Sequence, residues 1–194
     1  RPATLRVVGS ASSCSRLTSP KRDWYIWRDA APGGGLPNNW LSEFGGPAWA
    51  WHEATGQYYL HTYLEAQPDL NWRHPDVERA MFDVLRFWFE RGVDGFRLDA
   101  ITHLVKDDRF RDNPPNPRYR PGDRSYRRQI PNFSNNRPEV HDVLRKMRRV
   151  ADASGGRVLV GEIYLPVEEL MAYYGPADDE VQLPANFQLL RMPW

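Results

Sequence analysis

The chain has a single cysteine, Cys14, in 194 residues. One thiol cannot close an intramolecular disulfide, and it cannot build a four-thiolate zinc site. No apolar run approaches the roughly 20 residues that a membrane-spanning helix requires. Net charge is nearly absent as well: 26 Lys and Arg stand against 25 Asp and Glu, a formal +1. Such a balance excludes a strong field toward nucleic acid or an anionic membrane surface. The first twenty residues lack both aromatic and acidic side chains, and serines crowd positions 10–19. They contain no apolar stretch of signal-peptide length and read as an atypical, disordered leader. What the sequence does hold is ring and turn chemistry: eight Trp, nine Tyr and eight Phe beside 14 Gly and 17 Pro. That composition describes a loop-rich globular protein.

Organisation changes twice along the chain. Residues 21–75 carry Trp24, Tyr25, Trp27, Trp40, Trp49, Trp51, Tyr58, Tyr59 and Trp72, cut into short pieces by Gly33-Gly34-Gly35, Gly45-Gly46-Pro47 and Gly56. A small, irregular, partly β subdomain fits this pattern, with most of its rings in the core. From Pro75 the period becomes 3.6. Val77, Met81, Val84, Leu85 and Trp88 fall on one stripe, Pro75 suits the first turn, and Gly92 suits the cap. A strand over 93–101 follows. A second helix then carries Val140, Val143, Leu144, Met147, Val150 and Ala151 between Pro138 and Gly155. A second buried strand over 157–162 and a short helix over 167–174 complete the series. Helix–strand alternation of this kind belongs to a parallel α/β fold, here over residues 76–194. A long, proline- and arginine-rich loop, 103–137, separates the first strand from the second helix. Asp107, Asp108, Asp112 and Asp123 interleave with its arginines, so a solvated loop fits better than a nucleic-acid surface.

The strand ends carry the candidate chemistry. Alternation along 93–101 puts Arg97 and Asp99 on one face, two residues apart. The cation beside Asp99 favours its ionised form, which suits a nucleophile or the stabiliser of a cationic transition state. A buried pair that only ties the strand end down would need the same two residues. Glu162 directly follows the apolar run Val158-Leu159-Val160-Gly161. Desolvation there would raise its pKa and suit a general acid, although a Glu capping the next helix would look alike. One carboxylate kept ionised and one kept protonated, on neighbouring strand ends, are what glycoside cleavage uses.

Gly-Phe-Arg-Leu-Asp-Ala at 95–100, Gly-Glu-Ile-Tyr at 161–164, Gln-Pro-Asp-Leu-Asn-Trp at 67–72 and Lys-Arg-Asp-Trp-Tyr-Ile-Trp-Arg-Asp at 21–29 occur in this order. Together they resemble the α-amylase superfamily of glycoside hydrolases (glycoside hydrolase family 13), and most of all its α-glucosidase and oligo-1,6-glucosidase branch. The resemblance covers residues 21–194. It implies a partial (β/α)8 TIM barrel, about strands four to six, with residues 21–75 as the inserted subdomain walling the sugar pocket. It also implies Asp99 as nucleophile, Glu162 as acid/base, Arg97 as the residue that holds the nucleophile ionised, and His103 as a substrate contact. The expected substrates are short α-glucoside oligosaccharides. No organic cofactor is implied, and no metal, because the family's calcium motif ends in Asp where this chain has Asn71. No nucleic-acid or membrane partner is expected, and a cytoplasmic location is.

Departures from the family pattern set further expectations. The family's Asn-His motif and its third carboxylate would lie outside this segment, as would barrel strands one to three. The 194-residue chain is therefore expected to be a fragment that turns over α-glucosides negligibly alone. Residues 1–20 lack the Trp-Phe and acidic residues usual before Lys21, as a shifted reading frame would leave them. Two alternatives stand beside hydrolysis. One is a transglycosylating relative of the sucrose or trehalose isomerase type, using the same carboxylates. The other is a non-catalytic amylase-like binding domain, against which the presence of both Asp99 and Glu162 counts.

Overall fold

The computed structural model describes the backbone of residues 2–5 and the chain from 19 to 187. Residues 2–5, 78–104 and 138–187 form one compact unit; residues 19–77 and 105–137 form a second. In the first unit four strands make a parallel sheet in the order β1 (Pro2–Leu5), β5 (Gly95–Leu98), β6 (Val158–Ile163), β7 (Leu183–Asn186). In the second, β2 (Trp27–Arg28) and β3 (Trp49–His52) flank β4 (Gln57–Leu60) in an antiparallel sheet. Among the described residues no helix is long and apolar enough to cross a membrane.

Helix α1 (Pro75–Glu90) ends before Gly92, whose φ of +85° only glycine adopts without strain. Its buried face differs from the stripe read in the sequence. Val77 and Leu85 are buried as expected, but Phe82 and Phe89 join them while Trp88 stays 44% exposed. The segment 81–89 holds two overlapping apolar stripes, and the sheet selects the one that sets Phe89 against Phe96, ring centroids 5.1 Å apart. Helix α2 (Val140–Ala153) buries all six of its expected apolar residues. The short helix expected over 167–174 is one α-helical turn, α3 (Val167–Leu170), continued as a 3-10 turn over Met171–Tyr174.

Two expectations on strands need correction. Residues 2–5 are not a loose leader: β1 pairs in parallel register with β5, Pro2 opposite Gly95 through Leu5 opposite Leu98. A four-residue strand at a sheet edge is too short to announce itself by alternation. The reading-frame expectation for residues 6–18 lies outside the described residues. The first core strand is also shorter than 93–101. It stops at Leu98, because Ala100 turns left-handed (φ 48°, ψ 45°) and Ile101 opens a 3-10 turn.

Close backbone approach explains the glycine that opens β5. A Cβ on Gly95 would lie 2.4 Å from the Val158 carbonyl oxygen on β6. Neither strand can move without breaking ladder bonds on its other side. Gly95→Ala is therefore expected to destabilise the protein by roughly 1–3 kcal/mol, the cost of overpacking a close-packed interior. Urea unfolding checks this, and a loss under about 0.5 kcal/mol, the ordinary scale of a surface change, would refute it.

The second unit is built on rings. Ile26, Trp40, Ala48, Trp49 and Leu60 form its core, with Phe110 and Phe133 from the long loop packed against them. Asn38 stitches the two segments together: its Nδ2 donates to the Phe110 carbonyl at 3.0 Å, and its Oδ1 accepts from Trp49 Nε1 at 2.7 Å. The loop's acids are used internally. Arg111 grips Asp107 with Nε at 3.0 Å and Nη2 at 2.6 Å, which lowers the Asp107 pKa to about 2. Lys106 is buried, with Nζ 2.9 Å from Thr62 Oγ1 and 3.3 Å from an Asp69 carboxylate oxygen.

Candidate active site

Parallel pairing of β5 with β6 sets Arg97 opposite Val160 and Leu98 opposite Gly161. The residues just beyond, Asp99 and Glu162, therefore emerge at the same end of adjacent strands. Gly161 permits this packing: a Cβ there would meet Ile101 Cδ1 at 2.5 Å. Ile101 is fully buried and anchors the turn after Asp99. That anchoring holds Ala100 left-handed and aims its N–H at Glu162 Oε2, 3.3 Å away.

The site is organised by one nitrogen. Arg97 Nη2 lies 2.8 Å from Asp99 Oδ1 and 2.8 Å from Glu162 Oε2. Two oxygens that share a nitrogen at that distance can be no more than twice as far from each other, so the carboxyls converge. Glu162 is the least accessible, its side chain 12% exposed against 32% for Asp99 and 44% for Arg97. Its other oxygen, Oε1, accepts a hydrogen bond from the Tyr164 hydroxyl at 2.7 Å. His103 stands on the 3-10 turn that follows Asp99, half-buried, its N–H donating to the Ala100 carbonyl at 3.0 Å.

The direction of the Glu162 pKa corrects the sequence reading. Desolvation pushes it up, as expected. The paired Asp99 carboxyl, the Tyr164 hydroxyl, the Arg97 guanidinium and the Ala100 N–H together outweigh burial, and the carboxyl titrates below its ordinary value. Only the burial half of this balance is visible from an apolar run in the sequence. In the unliganded site Glu162 is thus held ionised, ready to accept a proton rather than to give one. Tyr164 and the Ala100 N–H are the site groups that sequence reasoning passed over. Tyr164 had a usable signal, since residues i and i+2 on a strand end share a face; the left-handed turn at Ala100 had none. Among the described residues no group of three His, Cys, Asp or Glu side chains could hold a metal ion.

A parallel sheet with a carboxylate pair converging at its strand ends places the chain among α/β proteins, and comparison gives the family. The profile of the alpha-amylase catalytic domain matches residues 9–193, so the chain belongs to the α-amylase family. It is 44% identical over 176 residues to an alpha-glucosidase of Culex pipiens, covering 87% of this chain and 30% of that protein. It is 41% identical over 186 residues to a probable alpha-glucosidase of Rhizobium meliloti, covering 92% and 34%. Among solved structures it superposes on an alpha-glucosyl transfer enzyme with a TM-score of 0.82 at 41% identity, covering 88% of this chain and 33% of that one. The chain spans about a third of the length of these relatives.

Proposed function

We propose that this chain carries the nucleophile and the acid/base of a retaining glycoside hydrolase that cleaves α-glucosidic bonds of short oligosaccharides. The parallel sheet is then the middle of a (β/α)8 barrel, with β5 and β6 as its fourth and fifth strands. β1, paired in parallel with β5, takes the third place, which revises the expectation that strands one to three all lie outside this segment. The observation that carries the reading is the convergence of Asp99 and Glu162 on Arg97. Retaining enzymes keep their carboxyls about 5–5.5 Å apart and inverting ones about 6.5–9.5 Å, and two oxygens bridged by one nitrogen belong with the former.

The chemistry takes two steps. Glu162, protonated when a bound sugar closes the site against water, gives its proton to the glycosidic oxygen. That C–O bond breaks while an Asp99 oxygen bonds to the anomeric carbon. In the second step Glu162 takes a proton from water, whose oxygen bonds to the anomeric carbon as the Asp99 ester breaks. Arg97 keeps the attacking carboxylate ionised, and His103 contacts the sugar. The transfer enzyme among the structural relatives favours a second reading, in which a sugar hydroxyl replaces water in the second step.

The test is a chimaera in which residues 19–187 replace the matching segment of the Rhizobium alpha-glucosidase, assayed on maltose and isomaltose. Hydrolysis of both is expected, with maltose preferred. Ala100 follows the nucleophile, and the resemblance implies this preference, since a Val there accompanies α-1,6 cleavage in that family and a smaller residue α-1,4. A methyl or two beside the leaving sugar is worth about 1–3 kcal/mol. A tenfold preference for isomaltose would overturn the linkage assignment. A folded chimaera that cleaves neither sugar would overturn the function. Glucosides outnumbering free glucose when an acceptor sugar is added would establish the second reading instead.

A further inference from the structure

We propose that Tyr164 is a positioning residue for Glu162: its hydroxyl fixes the carboxyl's orientation and selects Oε1 as the oxygen that carries the catalytic proton. The proposal rests on the reading of Glu162 as the acid/base group. Its grounds are the unequal partners of the two carboxyl oxygens. Oε2 is met by the Arg97 guanidinium at 2.8 Å and the Ala100 backbone N–H at 3.3 Å. Both of these groups can only donate. Protonating Oε2 would set a proton against two donors and lose at least one of those bonds. Oε1 is met by the Tyr164 hydroxyl at 2.7 Å. A phenol both donates and accepts. It donates while Glu162 is ionised and, after rotating its proton away, accepts from Glu162 once the acid is formed. Oε1 is therefore the oxygen that can take and release a proton without losing its partner, as the two steps require.

The ring is held for this task. Tyr164 leaves β6 one residue beyond its end, on the same face as Glu162, and stacks on Phe187 with centroids 5.0 Å apart and planes 26° apart. Tyr164 is still 52% exposed, so burial does not account for an aromatic here. The Tyr164 hydroxyl also adds to the forces that hold Glu162 ionised in the empty site.

The experiment is a carboxyl-carbon NMR titration of the 194-residue chain labelled at glutamate, with the Glu162 signal assigned by its loss in Glu162→Gln. It needs no turnover, so an inactive chimaera and an unmoved midpoint are separate outcomes. Tyr164→Phe keeps the ring and its stacking but removes the hydroxyl. The Glu162 midpoint is expected to rise by roughly one unit, the worth of one hydrogen bond to a charged group. A shift under about 0.2 units in a variant whose amide spectrum is otherwise unchanged would overturn the assignment. If Tyr164→Phe fails to fold, 3,5-difluorotyrosine at 164 supplies the second measurement. Its more acidic phenol donates more strongly, so the midpoint should fall, and a midpoint that stays put again overturns the proposal.

Discussion

Asp99→Asn is expected to lower kcat of the Rhizobium chimaera by about 10⁴-fold or more, the scale seen when one member of a catalytic unit is removed. The amide has the shape of the carboxylate and keeps an oxygen for Arg97, whose Nη2 sits 2.8 Å from Asp99 Oδ1. Little structural cost should accompany the change, and the melting temperature should move by only a few degrees. What the amide lacks is the negative charge and the nucleophilic oxygen needed to bond the anomeric carbon. Asp99→Gly separates chemistry from structure. It leaves room where the carboxyl was, so added formate should enter and restore part of the rate on an activated glucoside. Asp99→Asn within tenfold of the parent, or Asp99→Gly without any response to formate, would remove Asp99 from the role of nucleophile.

How far such residues could be read in advance depends on what physical signal each one leaves. The two long helices were legible because apolar residues at helical spacing ended at glycines: Gly92 and Gly155 both take the positive φ that closes a helix. Asp99 and Glu162 were legible because a polar residue directly after an apolar run marks a strand end. The Glu162 pKa was not legible, since its direction is set by partners that lie 62 to 65 residues away and by Tyr164, whose distance of two residues matters only once β6 is a strand. Nor was the placement of the long loop. Residues 105–137 cluster with the ring-rich segment, through Asn38 and Asn39 contacts more than 70 residues distant in sequence. Trp88 and Phe89 differ by one position on one helix, yet only Phe89 is buried. Periodicity finds a face, and the opposing strand decides which of two adjacent faces it is.

Lys106 shows the same limit most sharply, and its removal has the largest expected effect on stability. In the sequence it opens the charged run Lys106-Asp107-Asp108-Arg109 and reads as solvated. In the structure its side chain is 4% exposed and its Nζ bridges Thr62 Oγ1 and the Asp69 carboxylate. Burial depresses the Lys106 pKa, while the Asp69 charge and hydrogen bond pull it back toward its ordinary value. Asp69 is nearly as enclosed and also accepts from the Thr62 N–H at 3.0 Å. Lys106→Met keeps the chain length and fills the same space, but it strands a buried carboxylate without its cation. Breaking one side of a buried pair costs about 3–5 kcal/mol, whereas replacing both partners can be close to neutral. Lys106→Met is accordingly expected to lower the urea midpoint by that amount of free energy. Adding Asp69→Asn should restore at least half of it, because the amide oxygen still accepts from Thr62 and no charge remains unpaired. A loss under about 1 kcal/mol in Lys106→Met, below the usual cost of an uncompensated buried charge, or a double variant as unstable as the single, would show that the ion pair is not what holds this part of the unit together.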